Sequence, residues 1–402
     1  MKLLILSNGH GEDKIAVRII EQLQIVTNQL ELVALPIVGQ GYAYKKLNIA
    51  IAGRVQQMPS GGFIYMGGHP LWQDLRGGLI RLTIEQIELV RQWSNSGGTV
   101  LAVGDIVPLL YAWLSKANYA FVGTAKSEYY LRDETGWLSQ TSWLEKKFGS
   151  VYQPCDRWLM SRDRCKAVFP RDSLTTEILQ QWAIPAYDLG NPMMDGLKEI
   201  QTKDSSLLNI LLLSGSRMPE ALRNWQQILT AVSATIKTIE SKQLKFSSAI
   251  APVLNLTPFI EYAVTQGWQL TTESSQTATF SQSNSTLSLE RENYQQLLQQ
   301  ADIAIAMAGT ATEEFVGLGK PAIIMPGTGP QFTYAFAEAQ SRLLGCSILM
   351  VENPSQVGDA IAQVIDNPQQ LQQIAINGKR RMGESGAARR IALCIKKQLL
   401  MT

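Results

Sequence analysis

Short apolar runs and longer amphipathic stretches alternate along this chain. In the first half, runs at 3–6, 32–35, 100–103, 119–122 and 157–160 read as buried strands. In the second half the same holds for 210–213, 248–251, 303–306, 322–325 and 347–351. Uninterrupted apolar runs of this length suit parallel strands covered on both faces. Between them the spacing predicts helices at 13–23, 84–93, 108–114, 219–239, 294–300, 311–317, 333–344 and 354–365. Such alternation means parallel sheets joined by crossover helices. The Ser/Thr/Gln-rich stretch 271–288 is expected to be a surface loop with a short strand at 277–280. A polar stretch at 198–206 follows Leu189-Gly190-Asn191-Pro192, and beyond it the pattern restarts. The expected architecture is therefore α/β, with two units and a cleft between them: 1–198, 199–380, and a basic terminal helix over 381–402 that packs back on the first unit.

Composition narrows the class. The chain has 402 residues, 45% hydrophobic and 17% charged, which are values of an ordered protein. A formal net charge of +2 gives no sign of a dedicated nucleic-acid binder. Four cysteines (Cys155, Cys165, Cys346, Cys394) are scattered without metal spacing, and there are two histidines, His10 and His69. We expect reduced thiols and no metal site. The apolar start is too short for a signal peptide and no run reaches the ~18 residues of a spanning helix. A cytoplasmic protein, peripheral to the inner membrane face at most, is the expectation.

The chemistry concentrates at strand ends. Ser7-Asn8-Gly9-His10-Gly11-Glu12-Asp13 follows the first strand and opens the first helix. Gly9 and Gly11 permit close approach of a ligand, and His10 falls at the carboxyl end of the sheet, where open α/β folds bind ligands. Gly104-Asp105 ends another strand, with Pro108 shortly after. Asp105 either caps the next helix or faces the cleft in the same row as His10. In the second case it orients the imidazole and raises its basicity.

Two anion turns lie in the second half. Ser214-Gly215-Ser216-Arg217 offers backbone N–H groups and a guanidinium fork for phosphate. Ala308-Gly309-Thr310-Ala311-Thr312 precedes Glu313 and Glu314. It repeats the strand–turn–helix form that holds anions on backbone amides, with Thr310 and Thr312 adding hydroxyls and Glu314 placed for a ribose. Gln331, in the loop Pro326-Gly327-Thr328-Gly329-Pro330-Gln331, is placed to reach sugar hydroxyls; the loop's composition suits a purely structural role equally well. The glycine-rich apolar loop 61–72 and the tail cations Lys379, Arg380, Arg381, Arg389, Arg390, Lys396 and Lys397 suit either an anionic membrane surface or a solvated terminal helix.

Taken in order, 9–13, Gly104-Asp105, Gly190-Asn191-Pro192-Met193, Gly215-Ser216-Arg217 with Glu220, and Gly309-Thr310-Ala311-Thr312 with Glu314 resemble the segments of lipid-A-disaccharide synthase. That resemblance implies the glycosyltransferase B fold, two Rossmann-like domains facing a central cleft. It implies transfer of a glucosamine-type sugar from UDP to a lipid-borne acceptor. Gly215, Ser216, Arg217, Gly309, Thr310, Ala311 and Thr312 would then hold the diphosphate, and Glu314 the ribose. Asp105 matches an acid implicated in that family's catalysis; Gly9, Gly11, Glu12 and Gln331 are further candidate substrate contacts read from their turns and not from the family. The chain departs from the family in its first half. His10 stands in a turn where the family has Gly-Glu-x-Ser-Gly-Asp, Gly104-Asp105-Ile106-Val107-Pro108 is all that remains of Asp-Ala-Pro-Asp-Phe, and Pro-x-x-Trp-Ala-Trp is missing. A histidine in the first glycine-rich turn is similar to the peptidoglycan N-acetylglucosaminyltransferase.

The expected reaction is inverting and needs no cofactor beyond UDP-sugar as co-substrate. His10, oriented by Asp105, takes the acceptor's proton, while Arg217 and helix N-termini stand in for a metal on the leaving diphosphate. Rival readings are a UDP-sugar 2-epimerase, which uses no acceptor, and a nucleotide-sugar sensor without catalysis.

Overall fold

The computed structural model describes residues 1–9, 11–53, 79–197 and 206–401. His10, the loop 61–72 with His69, and nearly all of the polar stretch 198–206 lie outside the described residues. The chain divides into two units, Met1–Asp195 together with Glu384–Thr402, and Gly196–Gly383.

The first unit is built on β1 (Lys2–Ser7), β2 (Glu31–Pro36), β3 (Ala50–Ile51), β4 (Thr99–Gly104) and β5 (Tyr119–Gly123), with a small hairpin of β6 (Arg132–Asp133) and β7 (Gly136–Trp137), and then β8 (Cys165–Phe169). Its main sheet is parallel in the order β3-β2-β1-β4-β5-β8. Both faces are buried, which is why these strands read as continuous apolar runs. Leu4, Leu6, Val100 and Ala102 pack on one face. Leu3, Ile5, Leu101 and Val103 pack on the other, with Ile15, Ile19 and Ile20 of the helix Gly11–Val26. The helix Ala387–Ile395 adds Ala388, Ile391, Ala392 and Ile395 to that second face.

The second unit contains β9 (Leu207–Leu213), β10 (Gln243–Ala249), β11 (Gln269–Glu273), β12 (Thr277–Gln282), β13 (Ser285–Glu290), β14 (Ile303–Ala306), β15 (Ala322–Ile324) and β16 (Ile348–Met350). The order is β11-β12-β13-β10-β9-β14-β15-β16. The six strands from β13 to β16 run parallel, and β11 and β12 join antiparallel at one edge. The fold class is thus α/β with two parallel-sheet, Rossmann-like units.

Two sequence expectations are corrected. Residues 157–160 belong to the helix Pro154–Met160, not to a strand. Pro154 in its first turn and the reciprocal bonds of Gln153 and Asp156 start a helix there, and the strand falls a few residues later at β8. The stretch 271–288 holds more than the one short strand expected at 277–280, which falls in β12: it lies within β11, β12 and β13 and the turns joining them. Its Ser and Thr alternate with Ala278, Phe280 and Leu287, all fully buried. Alternation of that kind makes a half-buried strand whatever the polar composition suggests.

Candidate functional site

In the second unit, β9 and β14 are adjacent and parallel, with Ala306 opposite Leu213. The chain leaves β9 toward β10 on one side and β14 toward β15 on the other. Loops therefore diverge at this point, the usual ligand position of an open α/β sheet. Both anion turns sit there. Ser214, Gly215, Ser216 and Arg217 lead from β9 into the helix Glu220–Thr238, and Met307, Ala308 and Gly309 lead from β14 into the helix Thr310–Gly317.

Buried side chains fix the two turns to each other. Met307 N donates to Leu213 O at 2.7 Å. Asn224 Nδ2 donates to Ser214 O at 3.1 Å and to Met307 O at 3.3 Å. Gln340 Nε2 donates to Ala308 O and Gly309 O, each at 3.2 Å. Gly215 has φ of 94°, a conformation that favours glycine. The helix Thr310–Gly317 starts at Gly309 without a side-chain cap. Thr312 N and Glu313 N bond Gly309 O, while the amides of Thr310 and Ala311 come before any carbonyl that could accept from them. Ser216 and Thr310 are exposed, and Gly215, Arg217 and Gly309 are half-buried. Thr312 is turned inward: its hydroxyl donates to Ala308 O at 2.6 Å and serves the turn itself. Glu314 lies one helical turn on and accepts from Tyr294 Oη at 2.5 Å.

The loop carrying Gln331 is pinned to the same place. Glu220, buried, accepts from Gln331 N at 3.0 Å and from Phe332 N at 2.6 Å. Arg223 Nη2 donates to Gly329 O at 2.6 Å. Ser214 Oγ and Gln340 Oε1 are buried without a hydrogen-bond partner. The Ser214 hydroxyl can donate, and an unspent donor near an uncapped helix start suits an anionic ligand better than an empty structural turn; Gln340 Oε1 can only accept and adds nothing to that. Asn224 and Gln340 escaped the sequence reading, because each lies mid-helix and acts through tertiary contacts.

In the first unit the equivalent divergence is between β1 and β4. Asn8 Nδ2 donates to Asp105 Oδ1 at 2.9 Å, and Asp105 N donates to Asn8 Oδ1 at 3.1 Å. Asp105 Oδ1 also accepts from Val107 N at 2.8 Å, so Asp105 caps the helix Ile106–Leu114 and locks the two strand ends together. A Cβ on Gly104 would fall 1.9 Å from Asn8 Oδ1, so glycine is required for this pair. Gly9 has φ of 99°, and a Cβ there would meet Val38 O at 2.3 Å; a Cβ on Gly11 would meet nothing within 4 Å. Glu12 is half-buried. Burial first, then the neighbouring Asp105 and Asp13 carboxylates, push its carboxyl pKa up, against hydrogen bonds from backbone and from Thr124. Asp13 is buried and accepts from Ser7 Oγ at 2.6 Å, which accepts from Tyr44 Oη at 2.7 Å. Burial pushes Asp13 up to about 6.

Solved structures match the fold of this chain over nearly its whole length. The MnaA–UDP co-structure from S. aureus matches at 14% identity and TM-score 0.59, covering 100% of this chain and 98% of that one. MurG from Acinetobacter baumannii matches at 17% and 0.58, covering 98% and 99%. The UDP-GlcNAc 2-epimerase from Neisseria meningitidis, bound to UDP-GlcNAc, matches at 14% and 0.55, covering 99% and 100%. This chain has the glycosyltransferase B-like fold. No family model matches it, and no curated protein sequence matches it.

Within that fold the tail cations are partly committed. Arg381 is buried and donates to Arg342 O, Leu343 O and Asn377 Oδ1. Arg390 donates to Leu189 O, Glu384 O and Ser385 O, and Lys396 to Val26 O. Each of these holds backbone in place. Among the described residues no helix is long and apolar enough to cross a membrane, and no group of three His, Cys, Asp or Glu side chains suits a metal ion. All four cysteines are free thiols.

Proposed function

We propose that this chain is an inverting, metal-independent glycosyltransferase. It moves a sugar of the N-acetylglucosamine or acylated-glucosamine type from UDP to a lipid-linked acceptor. The observation that carries the reading is the pair of anion turns at the β9/β14 divergence, with an uncapped helix start and the unspent Ser214 hydroxyl near it. Those turns take the diphosphate on the amides of Gly215, Ser216, Thr310 and Ala311. Arg217 adds a charge-assisted contact that strengthens as the diphosphate leaves, and Glu314 takes the ribose. In the first unit His10 accepts the proton of the attacking hydroxyl, and Asp105 and Asn8 hold the strand ends from which that turn springs. Glu12, in the same turn, adds a substrate contact.

UDP titration by calorimetry and turnover with membrane lipid extract test this. Arg217→Ala is expected to weaken UDP binding roughly 10–100-fold, the loss of a charged hydrogen-bond donor. His10→Ala is expected to abolish lipid-dependent UDP release while leaving UDP affinity unchanged. The solved epimerases of the same fold favour a second reading. A product that is a C2 epimer of the UDP-sugar, formed without acceptor, would replace the transferase by an epimerase. Binding without any turnover would make the chain a sensor.

A further inference from the structure

Between β5 and β8 the first unit carries the short helix Trp143–Phe148, and no residue of that helix is buried. Its sequence is Trp-Leu-Glu-Lys-Lys-Phe. Trp143 is 70% exposed, Leu144 55%, and Phe148 is also exposed. At 100° per residue these three side chains share one arc of about 140°. The core supplies no reason for such a surface, because nothing in the helix packs into it.

The helix is nevertheless held firmly. Ser142 and Glu145 form a reciprocal cap, which occupies the one carboxylate of the segment. At the other end Arg132 donates to Gly149 O at 2.6 Å and lies 3.6 Å over the ring of Trp137. Arg157 donates to Phe148 O at 2.8 Å and lies 3.9 Å over the ring of Trp182. Trp137 and Trp182 are both exposed, and each is tied to the helix end through the arginine that lies over it. Lys146 and Lys147 are exposed, and Lys147 Nζ stands 5.2 Å from the ring centre of Trp143. Nearby acids are engaged locally: Asp133 accepts from Thr135, and Glu134 from Tyr129.

We infer that this aromatic and basic face, Trp137, Trp143, Leu144, Phe148 and Trp182 with Lys146 and Lys147, is a docking surface for an anionic lipid bilayer. The exposed aromatic side chains and the adjacent lysines favour a bilayer over a protein. No residue of the helix is buried, and aromatic side chains flanked by lysines suit the headgroup layer, where apolar rings sink and ammonium groups stay with lipid phosphates. A lipid-linked acceptor is what makes such a surface useful, and to that extent the assignment rests on the function proposed above.

Co-sedimentation of the full chain with vesicles measures this without donor or acceptor. Binding is expected to vesicles of equal parts phosphatidylcholine and phosphatidylglycerol, and to be much weaker with phosphatidylcholine alone. Replacing Trp143 and Leu144 together by serine is expected to weaken binding at least about tenfold. Lys146→Gln and Lys147→Gln are expected to weaken it about fivefold each. Arg389→Gln in the tail is expected to change nothing. These positions are exposed, and unchanged unfolding curves and UDP affinity would show that neither fold nor donor site is disturbed. A wild-type chain that ignores anionic vesicles, or surface variants that bind as wild type does, would overturn the assignment. So would a chain that instead dimerises through this face, with the dimer lost on replacing Trp143 and Leu144. A failure here with UDP turnover intact removes the docking surface alone; vesicle binding with no turnover removes the transferase alone.

Discussion

Glu220 and Asp13 are both buried carboxyl groups, and they do opposite things. Glu220 accepts two backbone N–H bonds from the loop at Gln331 and Phe332, so Glu220→Ala leaves two amides without an acceptor. We expect a loss of about 2–3 kcal/mol in denaturant unfolding and weaker UDP-sugar binding by calorimetry. Glu220→Gln retains a carbonyl acceptor and is expected to lose less. Asp13 instead has a pKa raised from 3.8 to about 6 by burial. The folded chain thus holds this proton more tightly than the unfolded chain does. Its contribution to stability is full below pH 4 and falls away as pH rises through about 6, a change of about 3 kcal/mol. Asp13→Asn is expected to flatten that part of the stability–pH curve, as urea unfolding between pH 4 and 7 would show. The positions of these residues at helix starts were legible in the sequence. Their burial was not, because it depends on what the rest of the fold lays over them.

At the scale of elements, Gly190-Asn191-Pro192-Met193 changes its meaning. In the sequence it was one of the segments carrying the family resemblance. In the structure Arg18 Nη1 donates to Pro192 O and Met193 O, and Asp195, just past Met194, caps a helix nearly two hundred residues away. Asp195 Oδ1 accepts from Gly386 N at 2.6 Å and Ala387 N at 2.9 Å, and Oδ2 from Ala388 N at 2.7 Å. The helix Ala387–Ile395 has no cap of its own, since Gly386 precedes it. A carboxylate there satisfies orphan amides and the helix dipole together. Asp195→Ala is expected to destabilise the first unit by about 2–3 kcal/mol in thermal or denaturant unfolding, with Asp195→Asn intermediate. Local sequence around 386 gives no sign of this cap, because the capping group comes from elsewhere in the chain. The strand at 157–160 misleads for the converse reason: an apolar run of four residues has no period long enough to separate strand from helix, and Pro154 with the Gln153–Asp156 pair decides it.

For the whole molecule, each unit has its own parallel sheet, with the strand order reversing at β1/β4 in one and at β9/β14 in the other. The proposed donor contacts fall in the second unit alone. Differential scanning calorimetry is therefore expected to show two transitions. UDP at about 100 times its Kd is expected to stabilise the second unit by about 2.7 kcal/mol and to leave the other transition nearly unmoved. A shift of both transitions by equal amounts would mean that the nucleotide contacts are shared by both units, contrary to the proposed site.

The sequence by itself determined the α/β class, most of the strands, and the placing of Gly215, Arg217, Gly309 and Asp105 at strand ends. These are local signals: an apolar run of the right length and a glycine turn need no knowledge of distant residues. Tertiary structure alone decided which strand ends become neighbours. It brought Asn224 and Gln340 to the two anion turns, turned the hydroxyl of Thr312 inward onto Ala308, and made Asp105 a cap bonded to Asn8. It also left Trp143 and Leu144 on the outside, where their composition alone would have put them in a core. Burial and hydrogen-bond partners are properties of the packed chain, and no window of sequence contains them.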